Sequence, residues 1–310
     1  MEKNIYVIHH TDNDGFCAAA VIADMHGIDR IKFCPYAYRE TKNFKDFVDE
    51  ALEKASYIYV VDVAIEDPEN YPYMDKLSRS DKTVWIDHHE TSLKSEDTYP
   101  HLRDIPGIRR TDRSAAWLCW EYRESTGYSG PMPEVVKLVD DHDRFIHNME
   151  DSLAFANGTF MRCNSTDPNW EMWISLIYED TYLMEDILHD GRVICHYNEM
   201  IYAKSRRGAG ICVLEDRREE KIKKYLGVCI NDNVNSLVFG DQLTGPKAKV
   251  FGVTYYYNHY SNKWMYSIYS SDTEFNCAEV AEFFGGGGHK GAAGFSSDEL
   301  LIRNGTIVIE

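Results

Sequence analysis

No apolar run in the chain approaches the roughly 18 to 20 residues of a membrane-spanning helix, so no membrane partner is expected. The first residues, Met1-Glu2-Lys3-Asn4, lead into a short strand-like run and not into the long apolar core of a signal peptide. There is no Cys-x-x-Cys pair; the eight cysteines are scattered, which predicts reduced thiols and a cytoplasmic protein. Cys17, Cys34 and Cys119 stand in apolar company and read as packing residues. Basic residues are in the minority, 33 Lys and Arg against 51 Asp and Glu, for a net charge of -18. That balance excludes a generic basic surface for long duplex DNA, which needs Lys and Arg over the phosphates. Internal repeats and low-complexity tails are also missing. What remains is a 310-residue chain, 44% hydrophobic, long enough for two ordinary domains with separate cores.

The first half alternates strand and helix. Strands are predicted at 5–9, 31–34, 57–63 and 83–87, with helices at 16–25, 44–55, 71–79 and 115–124 between and after them. Ser114 reads as the N-cap of the last of these. Such alternation predicts a mostly parallel sheet flanked by helices, in which ligands sit at the carboxyl ends of the strands. A helix is predicted over 134–146, and 170–206 reads as helical. From about Gly210 the pattern changes to short strands at 211–214 and 225–230, a Tyr-rich hairpin of 249–257 and 264–270, a helix over 276–284 and a last strand at 305–309. The fold class is therefore α/β, with residues 1–190 as one domain, 191–209 as a linker helix and 210–310 as a smaller α/β domain.

Acidic residues and histidines collect at the predicted strand ends. Asp87-His88-His89 follows the apolar run Thr83-Val84-Trp85-Ile86, and burying that much polar chemistry is costly without a ligand. Two adjacent histidines on a regular strand face opposite ways, so one is expected to ligate and the other to face substrate. After the first strand comes His10-x-Asp12-x-Asp14-Gly15, whose alternate residues can converge on one side. Gly15 allows a tight turn into the helix, and His9, on the opposite face, is expected to be structural. Asp62 ends the third strand. In Asp140-Asp141-His142-Asp143, Asp143 is favoured as a ligand and Asp140 is the competitor. Each signal has an ordinary alternative as a cap or a solvated loop. Together they form an oxygen-rich set with a few imidazoles, which suits Mn²⁺ or Mg²⁺. Two divalent ions would cancel the charge of Asp12, Asp14, Asp62 and Asp143. Without metal those carboxylates would repel, and some would take up protons.

Gly285-Gly286-Gly287-Gly288-His289-Lys290-Gly291-Ala292-Ala293-Gly294-Phe295 is the remaining unusual segment. Four consecutive glycines weaken any regular element, and their use is a backbone that can offer amides to an anion. His289 and Lys290 add donors there.

These motifs, in this order, closely resemble the DHH phosphoesterase family with its associated C-terminal domain, over nearly the whole chain. The resemblance implies an N-terminal domain that holds two Mn²⁺ ions, with Mg²⁺ or Co²⁺ as substitutes, and a substrate cleft between the two domains. It assigns His10, Asp12 and Asp62 to one ion and Asp14, Asp62, His88 and Asp143 to the other, with Asp62 bridging. Asp87 would orient a histidine, and His89 would face the scissile phosphate. Gly286, Gly287, Gly288 and His289, with Lys290 beside them, would grip the far end of the substrate. Members often carry an Arg where Tyr269 stands, and Arg206 or Arg207 could replace it. Asn276 stands where the family has an Asp. Phe145 stands where a Trp is frequent. The His10–Asp12 spacing resembles the oligoribonuclease branch more than the pyrophosphatase branch.

The implied activity is hydrolysis of short single-stranded oligonucleotides or small nucleotide phosphodiesters to nucleoside monophosphates, by one chain or a homodimer. A single-strand exonuclease is the nearest alternative, supported by Lys and Arg at 204, 206, 207, 217, 218, 221, 223 and 224. A pyrophosphatase or exopolyphosphatase comes next, and a non-catalytic nucleotide sensor last.

Overall fold

In a computed structural model of the protein, residues 3–36, 44–64, 71–164, 167–218, 221–288 and 290–309 are described. The chain forms two compact units, Met1–Cys195 and His196–Glu310. In chain order the first unit contains β1 (Ile5–His10), α1 (Asn13–His26), β2 (Ile31–Tyr36), α2 (Phe44–Lys54), β3 (Tyr57–Val61), α3 (Tyr71–Ser78) and β4 (Thr83–Ile86). There follow α4 (Glu90–Thr98), α5 (Ala115–Ser125), α6 (Glu134–Asp143), α7 (Ser152–Phe160), α8 (Trp170–Ile177) and α9 (Thr181–Arg206), and the division between the units falls inside α9.

The four strands are parallel, in the order β2-β1-β3-β4. Their nearly continuous apolar sequences follow from burial on both faces. On β1, Ile5 and Val7 join a core with α1, α5, α6 and α8, whereas Tyr6 and Ile8 join a second core with α2 and α3. Each fully buried aliphatic side chain contributes about 1.5–3 kcal/mol, which pins the strand register. Strand order reverses between β1 and β3, so the crevice at a topological switch point lies beyond His10 and Val61.

Several boundaries differ from the sequence reading for local reasons. Helix α1 starts at Asn13 instead of Phe16 because Asp12 caps it, accepting from the Gly15 amide. Gly15 is not needed for a positive φ. A Cβ there would lie 2.3 Å from the His10 carbonyl oxygen, so glycine lets the helix start hard against the strand end. The helical stretch 170–206 is two helices, broken at Glu179, which has φ 59. Helix α4 was not predicted; Leu93 is its one apolar residue, and it buries only Ser92. Ser114 caps α5 as expected.

The second unit contains β5 (Gly210–Asp216), β6 (Lys223–Ile230), α10 (Asp241–Thr244), β7 (Phe251–Asn258), β8 (Lys263–Tyr269), α11 (Cys277–Phe283), β9 (Gly287–Gly288), β10 (Ala292–Ser297) and β11 (Thr306–Ile309). They make a mixed sheet in the order β11-β5-β6-β7-β8-β10-β9. The Tyr-rich hairpin is β7 and β8, in antiparallel register. Asn276 caps α11, accepting from Ala278 and Glu279, a task that an Asp would perform equally.

Candidate metal centre

The strand ends of the first unit bring seven of the predicted residues into three overlapping groups: His10 with Asp12 and Asp62, Asp14 with His88 and Asp143, and Asp62 with His88 and His89. Asp12 does two things at once. One carboxylate oxygen caps α1, and the other lies 2.7 Å from His10 Nδ1. Asp14 joins the same cluster as His10 and Asp12 and lines one cavity with Asp12, but strand alternation does not bring it there. The strand's alternation ends at His10, and the first helical turn carries Asp14 inward instead. There it accepts from the amides of Ala115 (2.7 Å) and Ala116 (2.8 Å), at the positive end of α5. Those amides were missed in the sequence reading, although the Ser114 cap had already located the helix start.

Asp62 lies just past β3, is 1% exposed and has φ 56, a left-handed conformation that is uncommon outside glycine and that collects at functional sites. Its Oδ1 is 3.3 Å from His88 Nε2, and its Oδ2 is 3.7 Å from His10 Nδ1. Oδ2 is buried and has no hydrogen-bond partner among the described residues. His88 Nε2 is also 3.6 Å from Asp14 Oδ2 and 3.6 Å from Asp143 Oδ2. Three carboxylates around one imidazole, with an unpaired buried oxygen beside them, are the donor set of a hard or borderline divalent cation.

The expectation that His88 and His89 point apart is corrected. Strand β4 ends at Ile86, so the alternation has lapsed by His88, and both rings turn toward Asp62 with their centroids 4.6 Å apart. His89 Nδ1 is 2.8 Å from Asp87 Oδ1, and 3.9 Å from Asp62 Oδ1. Asp87 is fully buried, and its other oxygen accepts from the Ser92 hydroxyl. Nothing in the sequence pointed to Ser92.

In the acidic stretch the roles separate. Asp140 accepts from Ser114 N at 2.7 Å and Arg113 Nη1 at 3.1 Å, and Asp141 accepts from the amides of Asn148 and Met149. Both are buried in these tasks, and of the three aspartates Asp143 alone joins the cluster. His9 is fully buried against Phe16, Phe33 and Trp170, and its Nδ1 lies 2.7 Å from the His10 carbonyl. Burial holds its pKa down at about 4, so it is a neutral wedge behind His10.

Burial pushes the carboxyls of Asp14, Asp62 and Asp143 above the usual range, and the charges of neighbouring carboxylates add to the rise. Asp12 goes the other way. Desolvation opposes the shift, but the hydrogen bond and charge of His10 and the Gly15 amide hold it at about 2. Desolvation also works against His89, yet the hydrogen bond and charge of Asp87 raise its pKa, favouring the imidazolium.

In the second unit the glycine run forms part of the sheet. Gly287 and Gly288 pair with Gly294 and Ala293 as a short strand. A Cβ at Gly286 would lie 2.1 Å from the Gly294 carbonyl oxygen, and one at Gly288 2.6 Å from Ala293 Cα, so close packing demands these two glycines. At Gly287 a Cβ would meet nothing within 4 Å. Lys290 is exposed, and His289, expected to bind substrate beside it, lies outside the described residues. Tyr269 sits on β8 opposite Ala292. Arg206 does not stand free as a replacement cation, since it pairs with Glu199 and donates to the Val238 carbonyl. Among the described residues, no helix is long and apolar enough to cross a membrane.

A doubly flanked parallel sheet with a carboxylate–imidazole cluster at its switch point defines the class, and the comparisons agree. Residues 4–139 match the DHH family, N-terminal domain. An uncharacterized protein of Acanthamoeba polyphaga mimivirus is 22% identical over 307 residues, covering 95% of this chain and 68% of that protein. A pGpG-specific phosphodiesterase, PggH, of Vibrio cholerae is similar in structure with a TM-score of 0.54 at 14% identity, covering 95% of this chain and 93% of its own. RecJ of Thermus thermophilus, in complex with Mn²⁺, gives 0.53 at 14% identity, covering 96% of this chain and 50% of its own. At such identities the two solved structures share the fold.

Proposed function

We infer that the protein is a metal-dependent phosphodiesterase that hydrolyses short oligonucleotides or small nucleotide phosphodiesters to nucleoside monophosphates, with Mn²⁺ as the working ion. The observation that carries this reading is Asp62, buried in a strained conformation with one oxygen toward His88 and the other toward His10. His10, Asp12 and Asp62 would hold one ion, and Asp14, Asp62, His88 and Asp143 the second. When bound, such a pair neutralises phosphate charge and supplies a water of lowered pKa. The residues do the rest. Asp87 fixes the His89 ring through Nδ1, leaving Nε2 to meet the phosphate, and the raised pKa keeps a proton available for the leaving oxygen. Ser92 holds Asp87 in turn. PggH acts on pGpG by its name, which supports a small nucleotide as substrate. The single-strand exonuclease reading is weakened because Arg206, Arg217, Arg218 and Lys224 are each paired with nearby carboxylates. The test is a Mn²⁺ panel of dinucleotide, longer single strands, cyclic dinucleotides, pyrophosphate and polyphosphate. Dinucleotide should turn over fastest, and exclusive turnover of pyrophosphate or polyphosphate would reject the reading.

Metal binding should release protons. Carboxyls whose pKa is raised keep protons to higher pH, and an ion must displace them, so apparent affinity rises with pH. Titrating Mn²⁺ calorimetrically in buffers of different ionisation enthalpy should give a buffer-dependent heat; equal heats would contradict this. The glycine loop is proposed to bind the substrate's far end. Because Gly287 has open space and no positive φ, Gly287→Val should fold normally and raise KM about tenfold, on the order of one lost hydrogen-bonded contact. An unchanged KM would remove the loop from the substrate site.

A further inference from the structure

Beside the candidate metal centre, and within the same unit, lies a cavity of about 270 Å³. One wall is Asp12, Asp14 and Asp143; the other includes His142, Phe145 and Phe155. Phe145 is 59% exposed, although the cavity it borders carries three carboxylates. It is also left-handed, with φ 54, and so is His147, with φ 51. A bulky residue held at positive φ costs of order 1 kcal/mol or more. Here that cost leaves an aromatic ring in water, a second cost, where packing gives no return. Its placement is nonetheless secured. Phe145 N donates to the His142 carbonyl at 2.9 Å, and His147 N donates to the Asp141 carbonyl. The rings line up behind it: Phe145 and His147 at 4.5 Å between centroids, His147 and His142 at 5.3 Å and nearly parallel. His142 Nδ1 and His147 Nε2 have no hydrogen-bond partner among the described residues. A solvated aromatic face, braced by two more rings and opening onto a cluster built for phosphate, is what a purine or pyrimidine stacks on.

We propose that Phe145 is the stacking platform for the nucleobase next to the scissile phosphate, with the cavity beside Asp143 as the base subsite. This rests on the phosphodiesterase reading and deepens it, because inorganic pyrophosphate and polyphosphate have nothing to place there. The subsite selects substrates that carry a base. It reads the π-face and therefore tolerates all four bases.

The test compares a 5′-phosphorylated dinucleotide with its abasic analogue in the full chain with Mn²⁺, reading turnover and, by calorimetry, binding. In the wild type the dinucleotide should have the lower KM. Phe145→Ala should raise the dinucleotide KM roughly 5- to 100-fold, the range expected for one stacked base. The base-dependent advantage should shrink toward one. Phe145→Trp should restore it. A lower melting temperature with unchanged KM would overturn the proposal and make Phe145 a packing residue, as would an equal KM change for both substrates. If the dinucleotide binds in a Phe145-dependent way but is not cleaved, the hydrolytic reading fails and the subsite stands. If it is cleaved with Phe145-independent KM, the subsite fails and the hydrolytic reading stands.

Discussion

Replacing Asp62 by Ala should abolish bound metal and activity together, lowering turnover on the order of 10³-fold or more. Asp62 turns one oxygen toward His10 and the other toward His88, so on the proposed assignment its loss removes a shared bridge and not one ligand among several. The several kcal/mol of charge stabilisation that a metal pair gives a phosphoryl transition state go with it. The fold should survive. The carboxyl is buried, one oxygen has no hydrogen-bond partner, and neighbouring carboxylates repel it. Removing it in chelator relieves that repulsion. Because φ is 56, Asp62→Asn is the better probe of stability, since Asn tolerates the left-handed region and Ala does not. Metal-free Asp62→Asn should melt at or above the metal-free wild type. Mn²⁺ should stabilise the wild type and leave the variant unmoved. Near-normal turnover in Asp62→Ala would contradict the bridging role.

Replacing His89 by Ala should separate the two functions, keeping metal and losing rate. His89 is nearest to Asp87, not to the carboxylates around His88, so the ion sites keep their ligands. What disappears is an imidazole whose proton is held by Asp87 and, behind it, Ser92. General acid–base help is worth about 10²–10⁴-fold, and kcat should fall by that much with Mn²⁺ stoichiometry unchanged. The loss should be smallest for a substrate whose leaving group needs no proton, such as a p-nitrophenyl ester. Equal losses on both substrates would make His89 a ligand or a binding residue.

Much of this centre was legible from residue order alone, and the parts that were not share a cause. Strand-terminal Asp and His residues were visible because several of them recur together, although each alone has an ordinary use as a cap or a solvated loop. Alternation brought Asp14 to the right cluster for the wrong reason, because it assumed that the strand continued where Asp12 caps a helix. The same assumption set His88 and His89 apart until β4 was found to end at Ile86. Contacts made across more than a hundred residues, such as Asp14 to Ala115 and Ala116, leave no local pattern at all. The glycine run was read as backbone that offers amides to an anion, and Gly286 and Gly288 also answer to the atoms of β10 packed against them. Asp140 and Asp143 differ by one helical turn, and only the neighbourhood of Arg113 and Ser114 tells them apart.

The most direct test is anomalous scattering at the manganese edge from crystals of the active, Mn²⁺-loaded protein. The account predicts one peak among His10, Asp12 and Asp62 and a second among Asp14, Asp62, His88 and Asp143. No manganese at these strand ends, in crystals that still hydrolyse dinucleotide, would contradict it.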